Sequence, residues 1–137
     1  MEPAGPDPVE IAARALRHRD RSRAQIVARL ERAGVDGERA THALETLERV
    51  GYVDDARFAA ARAAALADRG LGDAAIRDDL EASGIDGPVV GDALASLTPE
   101  AERAATIAEN EGRTVKTAAR LARKGFSEES IEAALRL

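Results

Sequence analysis

The chain has 137 residues, of which 33% are charged and 2% aromatic, and its formal net charge is −5 at pH 7. It contains no cysteine, which excludes disulfides and thiolate metal sites, and no apolar run approaches the roughly 20 residues of a membrane span. These properties predict a soluble, cytoplasmic protein with one core or a short array of small cores. Because aromatic rings are so scarce, that core must consist of Ala, Leu, Ile and Val.

The predicted elements are all helices, nine in number, and no segment has the pattern of a strand. Residues 1–8 are acidic and rich in proline, and we expect a disordered tail there. Local signals mark several helix starts. Ser22 with Gln25 has the capping-box pattern, and Thr98-Pro99 suits an N-cap followed by the first residue of the seventh helix.

One pattern, a helix followed by a tight turn and a second helix, occurs three times along the chain. Two copies match at a spacing of 50 residues and the third follows at 41. Each copy has a Leu four residues before a Gly that ends the first helix, then an N-cap residue, then an Ala-Leu pair whose Leu lies 10 residues after the Gly. The copies are, in chain order, Ile26, Leu30, Gly34, Asp36 and Ala43-Leu44; Ile76, Leu80, Gly84, Asp86 and Ala93-Leu94; and Leu121, Gly125, Ser127 and Ala134-Leu135.

A repeat of this size cannot bury its own apolar face, so neighbouring copies must bury it together. We therefore predict an all-α fold of three tandem three-helix repeats, arranged as an elongated, curved array of about nine helices. The predicted boundaries are a tail at 1–8 and repeats at 9–53, 54–97 and 98–137. In each repeat the Ile and Leu anchors should form the core, and the turn glycine should have positive φ.

Charge is distributed unevenly along the sequence. Residues 14–32 contain seven arginines and two acids, a net of +5, and residues 112–126 contain five cations and no acid, also +5. Between them, residues 73–81 contain four acids and one arginine, a net of −3. Two basic segments on either side of an acidic one, in a chain that is acidic overall, point to a partner that carries both signs of charge.

The residues that could do chemistry do not form a catalytic pattern. His18 and His42 lack a helical His or Cys partner for a metal, and they fit surface or half-exposed structural positions. The pairs Asp54-Asp55 and Asp78-Asp79 are consecutive in helices, where neighbouring side chains point about 100° apart and do not converge on a substrate. Helix capping is the simpler role for the first pair. Since the chain also has no Gly-rich phosphate loop, we expect no enzymatic activity, no cofactor and no metal.

Binding of single-stranded nucleic acid is an alternative function. The arginines of the first basic segment have the charge and reach to contact phosphates. However, apart from Phe126 no aromatic residue is interleaved with either basic segment, so a platform for base stacking is missing. A helix face with mixed charges is most often simply exposed to solvent. The third interpretation of the chain is a structural helical adaptor with an unknown partner.

One stretch carries a family resemblance. Gly51-Tyr-Val-Asp54-Asp55-Ala-Arg57-Phe58-Ala59 resembles the Gly-hydrophobic-hydrophobic-Asp-Asp-x-x-Phe-Ala stretch of the RecX family, the bacterial regulators of RecA recombinase. Three further RecX-like motifs agree with it, and together the resemblance covers about residues 10–137. They are Ser22, Ile26, Leu30 and Gly34; Gly70, Gly72, Ile76, Leu80, Gly84 and Ile85; and Lys124-Gly125-Phe126-Ser127 with Ile131.

The resemblance implies a crescent of three repeats that lies in the groove of the RecA–single-stranded-DNA filament. There it would bridge neighbouring protomers and suppress strand exchange, ATP hydrolysis and co-protease activity, which amounts to negative modulation of recombination and the SOS response. No catalytic residues or cofactors go with the family. The acidic middle repeat departs from more basic relatives, so we expect at most weak binding of single-stranded DNA, together with no membrane contact and a monomeric state.

Two sets of residues are predicted to matter for such a function. The candidates for contact with RecA or DNA are Arg14, Arg17, Arg21, Arg23, Arg29, Arg57, Asp78, Asp79, Glu81, Arg113, Lys116, Arg120 and Lys124. The structural residues of the family motifs are Asp54, Asp55, Phe58, Gly70, Gly72, Gly84, Gly125 and Phe126. For Asp54 and Asp55 we expect a role at the junction of the first two repeats, with Phe58 buried one helical turn further on.

Overall fold

The computed structural model of the protein describes residues 5–136, and within this range the backbone forms nine α-helices and no strand. The all-α prediction is therefore confirmed. In chain order the helices are α1 (Pro8–His18), α2 (Arg23–Arg32), α3 (Gly37–Arg49), α4 (Asp55–Asp68), α5 (Asp73–Ala82), α6 (Gly87–Ala95), α7 (Glu100–Glu111), α8 (Val115–Arg123) and α9 (Glu128–Leu135). No helix in the described part of the chain is long and apolar enough to cross a membrane.

Of the predicted tail, residues 1–4 lie outside the described residues. The rest leads directly into α1. The carboxylate of Asp7 accepts hydrogen bonds from the backbone N–H of Val9 at 2.9 Å and of Glu10 at 3.4 Å. Asp7 is therefore the N-cap of α1, and Pro8 occupies a first-turn position where its missing N–H costs nothing.

The capping box predicted at α2 is present in full. Ser22 Oγ accepts the N–H of Gln25 at 3.1 Å, and the Gln25 side chain accepts the N–H of Ser22 at 3.1 Å. The side chains of Asp36 and Ser127 cap α3 and α9 by accepting the N–H of Arg39 at 2.9 Å and of Ser130 at 3.1 Å. In each of these caps the two partners lie three residues apart, so the local sequence is enough to predict the cap.

Two predicted caps are wrong. Asp86 stands at the N-cap of α6 but makes no capping bond through its side chain, and Pro88 removes one of the two N–H groups that such a cap would satisfy. The helix α7 begins at Glu100, so Pro99 and not Thr98 occupies the N-cap position. The Arg103 guanidinium donates to the Thr98 carbonyl at 2.9 Å and thereby holds Thr98 outside the helix.

The turn glycines have the predicted conformation. Gly34, Gly84 and Gly125 have φ of 83°, 79° and 94°, the left-handed region that glycine adopts without strain. After each of them the chain places an apolar residue in the core, namely Val35, Ile85 and Phe126, with at most 6% of the residue exposed.

Most of the predicted anchors form the core, but Leu94 and Leu135 of the second and third Ala-Leu pairs are only half-buried. Ile26, Leu30, Ile76 and Leu80 are 0% exposed, and Leu121 is 1% exposed. Burial of each such side chain stabilises the fold by about 1.5–3 kcal/mol. The helices α1, α4 and α7 also contribute buried alanines, each at most 1% exposed. These alanines are Ala12, Ala15, Ala59, Ala63, Ala104 and Ala108.

The chain divides into two compact units. Unit 1 comprises the chain up to Phe58 together with Ser83–Ile85, and unit 2 comprises Ala59–Ala82 together with the chain from Asp86 onward. The turn between α5 and α6 therefore belongs to unit 1, which explains why its Gly84 lies against Ala24 at the start of α2. In unit 2 the turn between α8 and α9 likewise has Gly125 against Ala75 at the start of α5.

Candidate protein-interaction surfaces

The arginines of α1 are exposed. Arg14 forms an i, i+4 ion pair with Glu10 at 3.6 Å, in which both side chains are about two-thirds exposed, 71% and 67%. Such a pair contributes little to stability and leaves its charges in contact with solvent. Arg17 is also exposed and forms no ion pair within residues 5–136.

Three further arginines of unit 1 act electrostatically on Arg21. Burial lowers the pKa of the Arg21 guanidinium, and the positive charges of Arg29, Arg19 and Arg32 lower it further. The Arg21 Nε donates to the backbone carbonyl of Ala15 at 3.2 Å, which fixes its position between α1 and α2. Because arginine is a very strong base, the Arg21 guanidinium keeps its charge at neutral pH. We call Arg19, Arg21, Arg29 and Arg32 the arginine cluster.

Two other candidate arginines have their charges matched inside unit 1. The Nε of Arg23 pairs with Glu48 at 3.0 Å. Arg57 makes a two-pronged pair with Asp20 at 3.0 and 3.1 Å. The hydrogen bond to Asp20 raises the pKa of Arg57. These contacts hold the two side chains against their own unit.

The neighbouring acidic motif organises the start of α4. Asp54 accepts the N–H of Arg57 at 3.0 Å and so caps the helix. Asp55 accepts the N–H of Arg23 at 2.7 Å, which caps α2 from a distant part of the sequence. Phe58 is buried, with 8% exposed. Asp54 and Asp55 thus cap two helices, and their role at the junction of the first two repeats stays a prediction.

The acidic helix α5 exposes two of its three candidate carboxylates to solvent. Asp78 and Glu81 are exposed. Asp79 instead accepts two hydrogen bonds from Arg62, both of 2.9 Å. This pair lowers the pKa of Asp79 below its usual value. Only Asp78 and Glu81 have carboxylates that are largely in solvent.

The second basic segment lies on and before α8. Arg113, Lys116 and Lys124 are exposed. Arg120 pairs with Glu111 at 2.7 Å and shares a shallow pocket with Lys124. Arg113, Lys116, Arg123 and Lys124 of this segment are exposed and form no ion pair in the described chain, and the first two lie at the start of the helix.

Glu100, which the sequence patterns did not single out, joins three parts of unit 2. Its carboxylate accepts the N–H of Asp73 at 2.7 Å, the N–H of Ser127 at 3.1 Å and the Oγ–H of Ser130 at 2.7 Å. Burial of this carboxylate acts to raise its pKa, but these hydrogen bonds outweigh that effect and the net pKa lies below the usual glutamate value. The only local signal was an acid in the first turn of a helix.

Arg103 completes this polar group. Its side chain is 11% exposed and pairs with Asp73 at 3.0 Å. The guanidinium carbon lies 5.8 Å from the centre of the Phe126 ring, a cation–π distance. Nearby, Gly72 donates its N–H to the Lys124 carbonyl at 2.8 Å, and any side chain at Gly72 would collide with the backbone of Gly125. Gly70, with φ of 84°, ends the preceding turn.

The arrangement described so far is that of an all-helical protein with exposed charged side chains. Within residues 5–136 no three His, Cys, Asp or Glu side chains are placed to hold a metal ion. The model of the second three-helix domain of RecX matches residues 54–94. The regulatory protein RecX of Mycobacterium ulcerans is 34% identical over 129 residues, which cover 84% of this chain and 75% of that protein. That of Xanthomonas citri is 34% identical over 139 residues, with coverage of 94% and 86%.

Solved structures agree in fold. The crystal structure of RecX from Lactobacillus salivarius superposes with a TM-score of 0.82 at 20% identity, covering 93% of this chain and 92% of that one. A second crystal structure of regulatory protein RecX gives a TM-score of 0.75 at 25% identity, with coverage of 92% and 71%. The chain belongs to the RecX family.

Proposed function

We propose that this protein is a non-enzymatic regulator that binds the RecA–single-stranded-DNA filament and restrains it, so that recombination and the SOS response are reduced. Membership of the RecX family, whose curated relatives are named regulatory proteins, is the observation that carries the proposal. A filament on DNA would place the protein in the cytoplasm, where it would act as a monomer without a cofactor.

The placement of exposed charge supports such a partner. A nucleoprotein filament combines acidic protein surface and phosphate with the basic surface that faces DNA. The exposed members of the arginine cluster, Arg19 and Arg32, and Arg113 with Lys116 in unit 2 have the charge for the first two. The exposed Asp78 and Glu81 suit the third. Because exposed charges are screened beyond about 10 Å at 0.1 M salt, inhibition should weaken as the salt concentration rises.

Charge reversal tests the proposal. The variant Arg113→Glu with Lys116→Glu should inhibit the ATPase activity of RecA on single-stranded DNA about tenfold less strongly, since exposed ion pairs contribute up to about 1 kcal/mol each. The matched control is Arg49→Glu with Arg136→Glu, which changes the net charge equally at two exposed positions outside the basic and acidic segments. Circular dichroism of each variant checks that the helices are intact.

Three outcomes can be told apart. If the parent protein fails to inhibit RecA at any dose, the proposed function is wrong. If both double variants inhibit as the parent does, the basic residues are merely solvated. If the parent binds naked single-stranded DNA as tightly as it binds the filament, the protein is a nucleic-acid-binding protein, which is the alternative function.

A further inference from the structure

Unit 1 has an exposed groove whose surface is mainly apolar. Tyr52 and Val9 are 65% and 42% exposed, and both line it. Ala13, Leu16 and Leu47 supply the rest of its apolar surface, and its volume is about 340 Å³. Arg17 is the one charged residue along it. We call this site the Tyr52 groove.

The backbone that carries Tyr52 is held rigidly. Its N–H donates to the Leu47 carbonyl at 2.8 Å, and its own carbonyl accepts from Arg57 at 3.3 Å. Arg57 also donates to the Gly51 carbonyl at 2.8 Å. The next residue, Val53, is 2% exposed and anchors the chain in the core. The ring of Tyr52 is therefore presented to solvent from a fixed backbone, so that little conformational entropy is lost when a partner covers it.

Arg17 gives the groove its charge. Arg14, one turn earlier in α1, is paired with Glu10, and Arg57 is paired with Asp20. Arg17 has no such ion pair in the described chain and no acidic residue lines the groove beside it. A partner that fills the groove would bring its own carboxylate to this guanidinium, since such pairs are strong when two hydrogen bonds form.

We propose that the Tyr52 groove is a docking site for the protein component of the filament, taking an apolar side chain from a segment that has a carboxylate next to it. This inference rests on the proposed function and adds the place and chemistry of one contact. Tyrosine and arginine are the residue types in which the binding energy of protein interfaces concentrates. The apolar side chain packs on Tyr52, Leu16 and Leu47, while the neighbouring carboxylate pairs with Arg17.

The chemistry of the groove favours a protein over a nucleic acid. Val9, Ala13, Leu16 and Leu47 offer no hydrogen-bonding side chain. A base has polar edges, and burial of unpaired polar groups against aliphatic surface costs several kcal/mol. Proteins that bind single strands instead combine aromatic platforms with a continuous positive groove. One tyrosine, one arginine and an aliphatic floor match an apolar side chain.

The first test removes the ring. Tyr52→Ala should weaken binding to the RecA–single-stranded-DNA filament about thirtyfold, as expected when an interface anchor is truncated, whereas Tyr52→Phe should bind nearly as the parent does. The matched control is Val50→Ala, which truncates an apolar residue of unit 1 that is 59% exposed and does not line the groove. Because Tyr52 is mostly exposed, its loss should leave the melting temperature nearly unchanged. Equal filament affinity of Tyr52→Ala and the parent would overturn the proposal.

The second test identifies what lies in the groove. A photo-crosslinking phenylalanine analogue at position 52 of the full-length protein is irradiated on the filament, and the adduct is located by mass spectrometry. The expected adduct is on a RecA segment in which an apolar residue is adjacent to Asp or Glu. An adduct on DNA, or a loss of affinity for naked single-stranded DNA in Tyr52→Ala that matches its loss for the filament, contradicts the proposal.

These results also separate the two levels of inference. If the parent does not bind the filament, the proposed function itself fails before any variant is compared. If the parent binds the filament and the double variant Arg17→Ala with Tyr52→Ala binds it equally well, only the proposed docking role of the groove is wrong. A reduction of about threefold or more for Arg17→Ala, largest at low salt, supports the predicted carboxylate.

Discussion

At the scale of single residues, unit 2 depends on one carboxylate. Glu100 accepts hydrogen bonds from the start of α5 and from both Ser127 and Ser130 at the start of α9. Each of these helix starts has backbone N–H groups without an intrahelical partner. A negative charge there also interacts favourably with the helix dipoles. One side chain thus stabilises two helix ends at once.

Removing this charge should destabilise the protein in a pH-dependent way. Glu100→Gln is expected to lower the free energy of unfolding by about 1–3 kcal/mol at pH 7, because hydrogen bonds to an ionised group are lost. The folded pKa of Glu100 is below its usual value, so its stabilising effect is present above about pH 4.3, the unfolded pKa, and is lost as the pH falls through the folded pKa. Urea unfolding at pH 7 and pH 3 measures the difference.

The control for this prediction is Glu102→Gln, in the same helix at an exposed position. It should change the free energy of unfolding by less than about 0.5 kcal/mol. A Glu100→Gln variant that is equally stable at pH 7, or whose deficit grows as the pH falls, would show that the carboxylate is not stabilised as described.

The residue scale also shows where sequence patterns succeed. The capping box of Ser22 and Gln25 was predicted because both partners lie within one helical turn. The cap of α2 by Asp55 and the triple role of Glu100 were not, since their partners are 32 and 27 to 30 residues away. Nothing in the local sequence of Glu100 distinguishes it from any acid in a first helical turn.

At the scale of helices and turns, the repeated leucine is the clearest determinant. Leu80 is 0% exposed in α5, which packs on α6. Leu80→Ala should lower the free energy of unfolding by about 2–5 kcal/mol, since it removes a buried side chain and leaves a cavity. Leu97→Ala, at a half-buried position, should cost clearly less. If Leu80→Ala costs less than about 0.5 kcal/mol in urea unfolding, the repeat alignment has assigned the wrong anchor.

The turn glycines allow two effects to be separated. Gly84 and Gly34 have nearly the same φ, 79° and 83°, but a Cβ at Gly84 would collide with Ala24, whereas one at Gly34 meets no described atom within 4 Å. Gly34→Ala should therefore cost about 1–2 kcal/mol from backbone strain alone. Gly84→Ala should cost more, because the turn must also move away from α2. Thermal unfolding of both variants gives the comparison, and equal costs would mean that Ala24 yields freely.

At the scale of the whole molecule, the sequence predicted the helices and the buried residues better than it predicted which charged side chains are free on the surface. The number of helices and the buried anchors follow from periodic apolar residues, which any stable fold must bury. The exposed charges do not follow in this way. Arg23 belongs to the same basic segment as Arg17, yet it pairs with Glu48, and Arg57 of the family motif pairs with Asp20. The aromatic neighbour of Arg17 in space, Tyr52, lies 35 residues further along the chain.

One capping arrangement occurs twice along the chain. The first residue of α4, Asp55, accepts the N–H of the first residue of α2 at 2.7 Å, and the first residue of α7, Glu100, accepts that of the first residue of α5 at 2.7 Å. The two caps share no partner residue. Asp55→Ala should cost about 0.5–2 kcal/mol, typical for a lost cap, and Glu100→Ala at least as much.

Because the two caps are independent, the double variant should lose the sum of the single losses within about 0.5 kcal/mol. Equilibrium unfolding in urea of the parent, both single variants and the double variant completes the cycle, with helicity and the slope of the transition recorded for each. A constant slope is needed to compare the four free energies. A double loss more than about 1 kcal/mol away from the sum would reveal energetic coupling between the two junctions, and the repeats would then have to be treated as one cooperative structure.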